Sequence, residues 1–448
     1  MSDIPRRAVT RTAKLATLPL GFAGRTAVGL GKRTIGRPAE AVALEVQQRT
    51  AEQLFKVLGE LKGGAMKVGQ LLSIFEAGLP EEIAAPFRAS LTKLQEAAPP
   101  MPAATMHKVL AEGLGEDWRD LFEEFDDRPA AAASIGQVHK AVWHDGRTVA
   151  VKAQYPGAGK ALMSDFNQIA RVSRLMTPLF PGVEVKPLIA DLKRRLEKEL
   201  DYVDEARAQT AFHEAFDDDP EFLIPAVVAQ SGNVLVTEWI DGTPLSKVIA
   251  EADQEERDRV GMLMLRFMHS GPRRCGMIHI DPHPGNFRVL DDGRLGILDF
   301  GGAAHVAPEL HWTIGRLLRI GTLGSGEEMV QAAKEEGFLA PDARVDPDEV
   351  AAIVAPQAEP FIEERFKFSR EWMRQETNRG IGLATDMRPG SLVRQIRLPA
   401  QFLAVSRALG GCGGVLCQLE AEGEFRALAE ELLPGFVEDD DPDEAESA

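Results

Sequence analysis

Residues 279–301 read HIDPHPGNFRVLDDGRLGILDFG. Asp281 and Asn286 stand in a D-x-x-x-x-N relation, and a second short strand then ends in Asp299-Phe300-Gly301. Moving a phosphoryl group off a nucleotide requires one carboxylate to orient or deprotonate the attacking oxygen. It also requires an amide and a second carboxylate to hold the magnesium that neutralises the triphosphate. Asp281, Asn286 and Asp299 are the candidates for those tasks. Each piece also has a plainer reading, D-P-H-P-G as a proline-rich turn and Asp292-Gly293 as a hairpin turn. Two motifs at compatible spacing weigh against coincidence.

A kinase-type site further needs a strand lysine, a helix glutamate and a phosphate-covering turn between two strands. Residues 148–154 read TVAVKAQ, an alternating β-branched run that sets Lys152 on a strand facing nucleotide. Asp145-Gly146 marks the hairpin before it, and SIGQVHKAVW (134–143) supplies the strand leading in. Aligned on Val138, the G-x-G-x-x-G-x-V phosphate loop falls on Ala131, Ala132, Ala133, Ser134, Ile135, Gly136, Gln137 and Val138. Only the last glycine survives. An alanine Cβ resists the positive φ and the close approach that glycine allows, so this loop is expected to be stiff.

Ala307-Pro308-Glu309 follows Gly301 almost at once, leaving no room for the long segment on which kinases dock peptides. Pro308 instead suits the first turn of a helix. Ile280 stands where an arginine would pair with a phosphorylated loop. Both features point to a small or lipid-borne acceptor, or water. Leucines and Val203 recur at three- and four-residue steps through 186–214, predicting one long amphipathic helix. Residues 262–276, MLMLRFMHSGPRRCG, predict a buried central helix with Met262, Leu265, Phe267 and Met268 in the core. EWIDGTP (238–244) reads either as a hinge whose Glu238 and Ile240 backbone groups meet adenine, or as a strand end and a turn at Asp241-Gly242.

PAAAASIGQVHKA, VAVKAQYPG, ELDYVDEA, HIDPHPGN and DFG, with AMKVGQLLS (65–73) and KLQEAAPP (93–100), together resemble the UbiB/ADCK (AarF-like) family of atypical kinases. The likeness runs from about residue 40 to 305. It implies that Lys152 contacts the α- and β-phosphates and that Glu205 is its paired helix glutamate. It also implies that Lys67, Gly69 and Gln70 form an intruding K-x-G-Q element faced by Glu199 and Asp201. ATP and Mg2+ are the implied cofactors, and a lipid or quinone-precursor ligand the implied partner. From the residues alone, Glu199 and Asp201 lie about 200° apart around a helix and read as ordinary surface carboxylates.

The implied fold class is α+β: a two-lobed protein-kinase-like fold with an N-terminal helical K-x-G-Q extension and a mostly helical C-lobe. The expected parts are a basic arm (1–37), the extension (38–100), an N-lobe (101–240), a helical C-lobe (241–437) and an acidic tail (438–448). A net charge of −18 argues against a nucleic-acid binder. Three cysteines without metal-ligand spacing suit reduced, buried thiols in the cytoplasm. The basic arm carries eight Arg and Lys residues against Asp3, with LATLPLGFAG between them. It reads either as a peripheral contact with the inner face of a membrane or as a solvated arm. No other stretch is expected to resemble a membrane span, and a C-terminal anchor is not expected. Two further functional readings remain at this stage, a small-molecule phosphotransferase of the aminoglycoside-kinase type and a non-enzymatic ATP-binding scaffold.

Overall fold

The computed structural model describes residues 101–437, apart from Ser134, Ala158, 161–162, 164–196, Glu199 and 385–390. Lys67, Gly69, Gln70, Ser134, Glu199, the basic arm, the extension and the acidic tail therefore lie outside the described residues. The described chain is a mixed α+β structure in two compact units, residues 101–202 with 231–236 and residues 203–230 with 237–437.

In the first unit, β1 (Phe122–Ala133), β2 (Gly136–Trp143), β3 (Thr148–Gln154) and β6 (Val234–Glu238) are neighbours in that order. The β1–β2 and β2–β3 pairs are antiparallel. Alternation in TVAVKAQ buries Val149, Val151 and Ala153 completely while Lys152 stays half-exposed. The Asp145-Gly146 turn forms as expected, with Gly146 at φ +85° and its amide donating to the Trp143 carbonyl. Helix α1 (Ala103–Leu114) buries Met106, Val109 and Leu110, spaced to share one stripe. Trp118, Phe122, Phe125 and Trp143 meet edge to face under the outer strand. That edge is blunted by exposed Asp126, Asp127 and Arg128 and by a register shift at Pro129.

A buried polar chain ties β2 to its surroundings. The Met101 amide donates to Gln137 Oε1 (2.9 Å), Gln137 Nε2 donates to His139 Nε2 (2.7 Å), and His139 Nδ1 donates to the Asp126 carbonyl (2.7 Å). These bonds fix the His139 tautomer, and burial lowers its pKa despite the carboxylates nearby.

The second unit is built around α4 (Gln254–Cys275), on which residues from Val260 to Pro272 supply the core, including the expected Leu265, Phe267 and Met268. Met262 is only partly buried against the same cluster. Asp253 caps the helix start by accepting from the Glu256 amide, and Gly276 ends it at φ +66°. A sheet of β4 (Phe222–Leu223), β10 (Leu295–Ile297), β9 (Phe287–Val289) and β7 (Thr243–Pro244), in that spatial order, packs with it. Val227–Ser231 forms β5, and β8 (Met277–His279) pairs antiparallel with β11 (Ala303–His305). Short α3 (Leu245–Glu251) follows β7. Phe212, Phe216, Phe222, Phe267 and Phe287 form a continuous aromatic core.

Three expectations change. The single helix over 186–214 is interrupted, because Leu200 is in a turn, Asp201 is non-helical, and α2 starts afresh as Tyr202–Ala215. Gln154 Nε2 donates to the Leu200 carbonyl (2.8 Å), so a side chain from β3 occupies an acceptor that an unbroken helix would use itself. The alanines of the phosphate loop are also not loop residues. Ala131, Ala132 and Ala133 pair with Val138, Gln137 and Gly136 as the end of β1, leaving only Ser134 and Ile135 between the strands. Finally, Phe402–Leu419, here α9, is long and apolar enough to cross a membrane by composition, with mean hydropathy 1.4. Val405, Ala408, Cys412, Val415, Leu416, Cys417 and Leu419 belong to the core around α4, so α9 is a core helix.

Two of the three cysteines, Cys412 and Cys417, are buried as anticipated, while Cys275 is half-buried. All three are free, and burial pushes the thiols of Cys412 and Cys417 up to about 12 and that of Cys275 up to about 11. None is a thiolate at neutral pH.

Candidate active site

Asp281 lies just after β8, and Gly301-Gly302 lies just before that strand's partner β11, so pairing of the strands brings the two loops together. The Ile280 amide donates to the Gly302 carbonyl (2.6 Å), closing the ladder beside Asp281. Space here is tight, since a Cβ on Gly302 would sit 2.8 Å from Asp281 Cβ.

Asn286 and Asp299 come together through the neighbouring hairpin. Asn286 immediately precedes β9 and Asp299 follows β10 by one residue, with Phe287 paired to Ile297. The Leu298 amide donates to the Asn286 carbonyl (2.9 Å), so both residues occupy the same end of the hairpin. Gly293 at φ +89° makes the turn at the opposite end. Asn286 Nδ2 donates to the Asp281 carbonyl (3.0 Å), which links all three motif residues and directs the amide oxygen away from that contact. Asp299 Oδ1 accepts from the Gly301 amide (3.0 Å).

This donor set fits a magnesium ion arriving with a nucleotide. An amide oxygen and a carboxylate are hard ligands, and Mg2+ is commonly held by one or two protein carboxylates together with phosphates and water. Among the described residues no three His, Cys, Asp or Glu side chains gather as a metal centre, so the fit rests on Asn286 and Asp299.

Behind the loops, His279 does structural work that its place in the motif did not announce. It is 1% exposed, and Nε2 donates to the Asp299 carbonyl (2.7 Å). Phe287 and Phe300 meet the imidazole edge to face, each at 5.6 Å. The ring thus holds the backbone of Asp299 from the core side.

Helix α2 brings in Glu205, in its first turn, where a carboxylate complements the helix dipole. Glu205 and Phe212 are two turns apart and share a face. Phe212 packs on Phe300 (5.0 Å), and a Cβ on Gly301 would lie 3.6 Å from Glu205 Oε2. The carboxylate is 3% exposed, a position that demands a cationic or donor partner.

Lys152, in the first unit, pairs across strands with Val138 and holds its ammonium 5.1 Å from the centre of the buried Tyr202 ring. Gly136 has a backbone reason to be glycine, because a Cβ there would fall 2.1 Å from the Ala153 carbonyl oxygen. Asp201 directly precedes α2. In the 238–244 connector, the Glu238 amide donates to the Ala226 carbonyl (3.0 Å), Ile240 is buried, and Gly242 takes φ +153° before β7.

From Gly301 the chain enters β11 and reaches α5 (Pro308–Leu323) with Pro308 in its first turn, so every residue between is accounted for by strand and helix entry. Tyr202, Phe212, Gln154 and His279 were not singled out beforehand, because their contacts join positions 20 to 88 residues apart.

The ABC1 atypical kinase-like domain matches residues 93–331, more than half of the chain. The mitochondrial atypical kinase coq-8 of Caenorhabditis elegans is 27% identical over 97% of this chain and 58% of its own length. COQ8B of Danio rerio is 29% identical over 75% and 54%, and COQ8 of Saccharomyces cerevisiae 29% over 86% and 78%. The chain therefore spans little more than half of the nematode and zebrafish proteins. Among solved structures, the complex of Rv3197 with erythromycin from Mycobacterium tuberculosis is 42% identical, with TM-score 0.65 over 90% of this chain and 100% of that one.

Proposed function

The chain belongs to the ABC1 atypical kinase-like family, and on that footing we propose that it is an ATP-dependent phosphoryl-transfer protein acting on water or a lipid-borne quinone precursor. The observation that carries this reading is the Asn286 to Asp281 hydrogen bond at the hairpin end shared with Asp299. Asn286 Oδ1 and the Asp299 carboxylate would hold the magnesium. When bound, that ion supplies charge neutralisation for the developing negative oxygens.

Asp281 has the catalytic part, accepting a hydrogen bond and then the proton from the attacking oxygen. His279 keeps Asp299 in place through its backbone, and Asn286 orients Asp281 through the carbonyl. Lys152 and the hairpin tip of Ala131, Ala132, Ala133, Ser134, Gly136 and Val138 would take the phosphates, with Glu205 as the positioning carboxylate for the lysine. Glu238 and Ile240 would meet adenine through backbone groups. Lys67, Gly69, Gln70, Glu199 and Asp201 keep the family-motif roles that the sequence resemblance implies. A role in isoprenoid-quinone biosynthesis, at the cytoplasmic face of a membrane, is the physiological setting we infer.

The test compares magnesium-dependent ATP turnover in the wild type and in Asp299→Asn, with the melting temperature measured alongside. Loss of turnover without loss of fold is expected. Full activity in the variant refutes the metal role. Nucleotide-dependent thermal stabilisation without turnover in the wild type would instead identify a scaffold.

Identity of 42% to a chain solved with erythromycin favours a second reading, that this protein also binds a macrolide. Erythromycin titration followed by thermal shift tests it, and an unshifted transition rejects it.

A further inference from the structure

Two side chains from one face of β3 meet the start of α2. Lys152 and Gln154 are two residues apart on the strand and so point to the same side, opposite buried Val151 and Ala153. Gln154 Nε2 donates to the Leu200 carbonyl (2.8 Å), and α2 begins two residues later with Tyr202. The Tyr202 ring, 1% exposed, has its centre 5.1 Å from the Lys152 ammonium. The same two strand residues are paired with the phosphate hairpin, Lys152 with Val138 and Gln154 with Gly136.

A lysine that meets phosphates has two conflicting needs. Its four-carbon stem is flexible, so the ammonium must be held if it is to wait at one spot. A carboxylate can hold it, but then competes with the phosphates for the same charge. The face of an aromatic ring attracts a cation through its quadrupole and carries no net charge. It therefore localises the ammonium and leaves the positive charge for the nucleotide. Burial of the ring strengthens the attraction, because less water intervenes.

Resting on the phosphoryl-transfer reading, we propose that Tyr202 is a positioning residue for Lys152, acting through the face of its ring to keep the ammonium where the nucleotide phosphates arrive. Gln154 serves the same end one step back, by fixing where α2 begins. The attraction belongs to the ring and not to the hydroxyl, so phenylalanine can replace Tyr202 whereas an aliphatic side chain cannot.

The experiment measures Mg-ATP binding and turnover by the full chain. Tyr202→Leu is expected to weaken nucleotide binding about fivefold, and Tyr202→Phe by less than about twofold. The loss in Tyr202→Leu should appear in KM with kcat nearly unchanged, since the phosphates are held alike before and during transfer. Repeating the change beside Lys152→Met separates positioning from packing: without the ammonium, Tyr202→Leu should cost less than about twofold more. A second measurement needs no nucleotide. Acylation of Lys152 by an amine-reactive ester, followed by mass spectrometry, should be about fivefold faster in Tyr202→Leu and unchanged in Tyr202→Phe, because an amine held as its ammonium is a poor nucleophile. Those rates decide the matter where Lys152→Met binds nucleotide too weakly to measure.

Wild-type affinity in Tyr202→Leu, equal losses in the leucine and phenylalanine variants, an undiminished effect beside Lys152→Met, or acylation rates that ignore the ring each overturn the proposal. Any of these, found with a wild type that turns over ATP, removes the Tyr202 role alone. A wild type that binds no ATP removes the phosphoryl-transfer reading and this proposal together.

Discussion

Replacing Gly136 by alanine tests the phosphate hairpin where backbone meets backbone. The added Cβ would fall 2.1 Å from the Ala153 carbonyl oxygen and 2.9 Å from its carbon, whereas real Cβ atoms essentially never come within 3.0 Å. No side chain is there to rotate away, so β2 and β3 must part by about 0.9 Å at the Gly136–Gln154 pair. A ladder bond near 2.9 Å stretched by that much falls outside hydrogen-bonding distance. Losing one or two such bonds at about 1 kcal/mol each, with a similar overpacking term, gives a local cost of about 3 kcal/mol. Gly146→Ala is the comparison at the other end of the same strand pair. Its φ of +85° penalises alanine by about 1 kcal/mol, but nothing lies within 4 Å of the new methyl. Native-state hydrogen exchange of the β2–β3 amides reads both. Protection should fall about a hundredfold in Gly136→Ala and about fivefold in Gly146→Ala, with nucleotide affinity lowered only in the former. Equal or reversed losses would refute the close-approach argument.

Ala131→Gly removes a Cβ from the end of β1 without breaking its pairing with Val138, and should loosen the hairpin tip and alter nucleotide affinity and turnover. Unchanged values would count against a stiff phosphate hairpin. Phe212→Ala should cost about 3–5 kcal/mol in denaturant unfolding, since the ring is fully buried between Phe300 and Phe267. It should also lower turnover by releasing the helix that carries Glu205, and a loss below about 1 kcal/mol would contradict the packing. Acid should destabilise the helical unit through His269, whose pKa complete burial lowers from 6.5 to about 3. Because the unfolded chain takes up this proton first, the stabilisation is whole above pH 6.5 and is lost as pH falls toward 3. At two pH units below the unfolded value the loss is about 3 kcal/mol, and His269→Gln should flatten that slope in urea titrations. An unchanged slope would show that His269 is not the acid-sensitive group.

Much of the candidate site was readable along the chain because its key contacts are local. The D-x-x-x-x-N spacing, the strand ending at Asp299 and the Asp292-Gly293 turn place three side chains within 19 residues, and a hairpin then brings them to one end. The helix break at Leu200 was not readable, since its cause is Gln154, 46 residues away. The alanines read as a loop because the glycine template describes a loop. Small side chains on an edge strand, however, put no obstacle in the way of pairing right up to the turn. The parallel pairing of β4 with β10 joins segments some 70 residues apart and leaves no periodicity signal. α9 was passed over in the sequence, although its apolar run is long enough for a membrane span by composition; such a run suits a buried core helix equally, and here it is one.

The short passage from Gly301 through β11 into α5 has a consequence for control. A switch needs a segment with two comparably stable arrangements, one of which a modification or ligand can favour. Here the residues after Asp299 are tied to β8 by a ladder on one side and run straight into a helix on the other, which leaves little chain free to rearrange. If the chain transfers phosphate as proposed, a switch controlling it would have to lie outside this stretch.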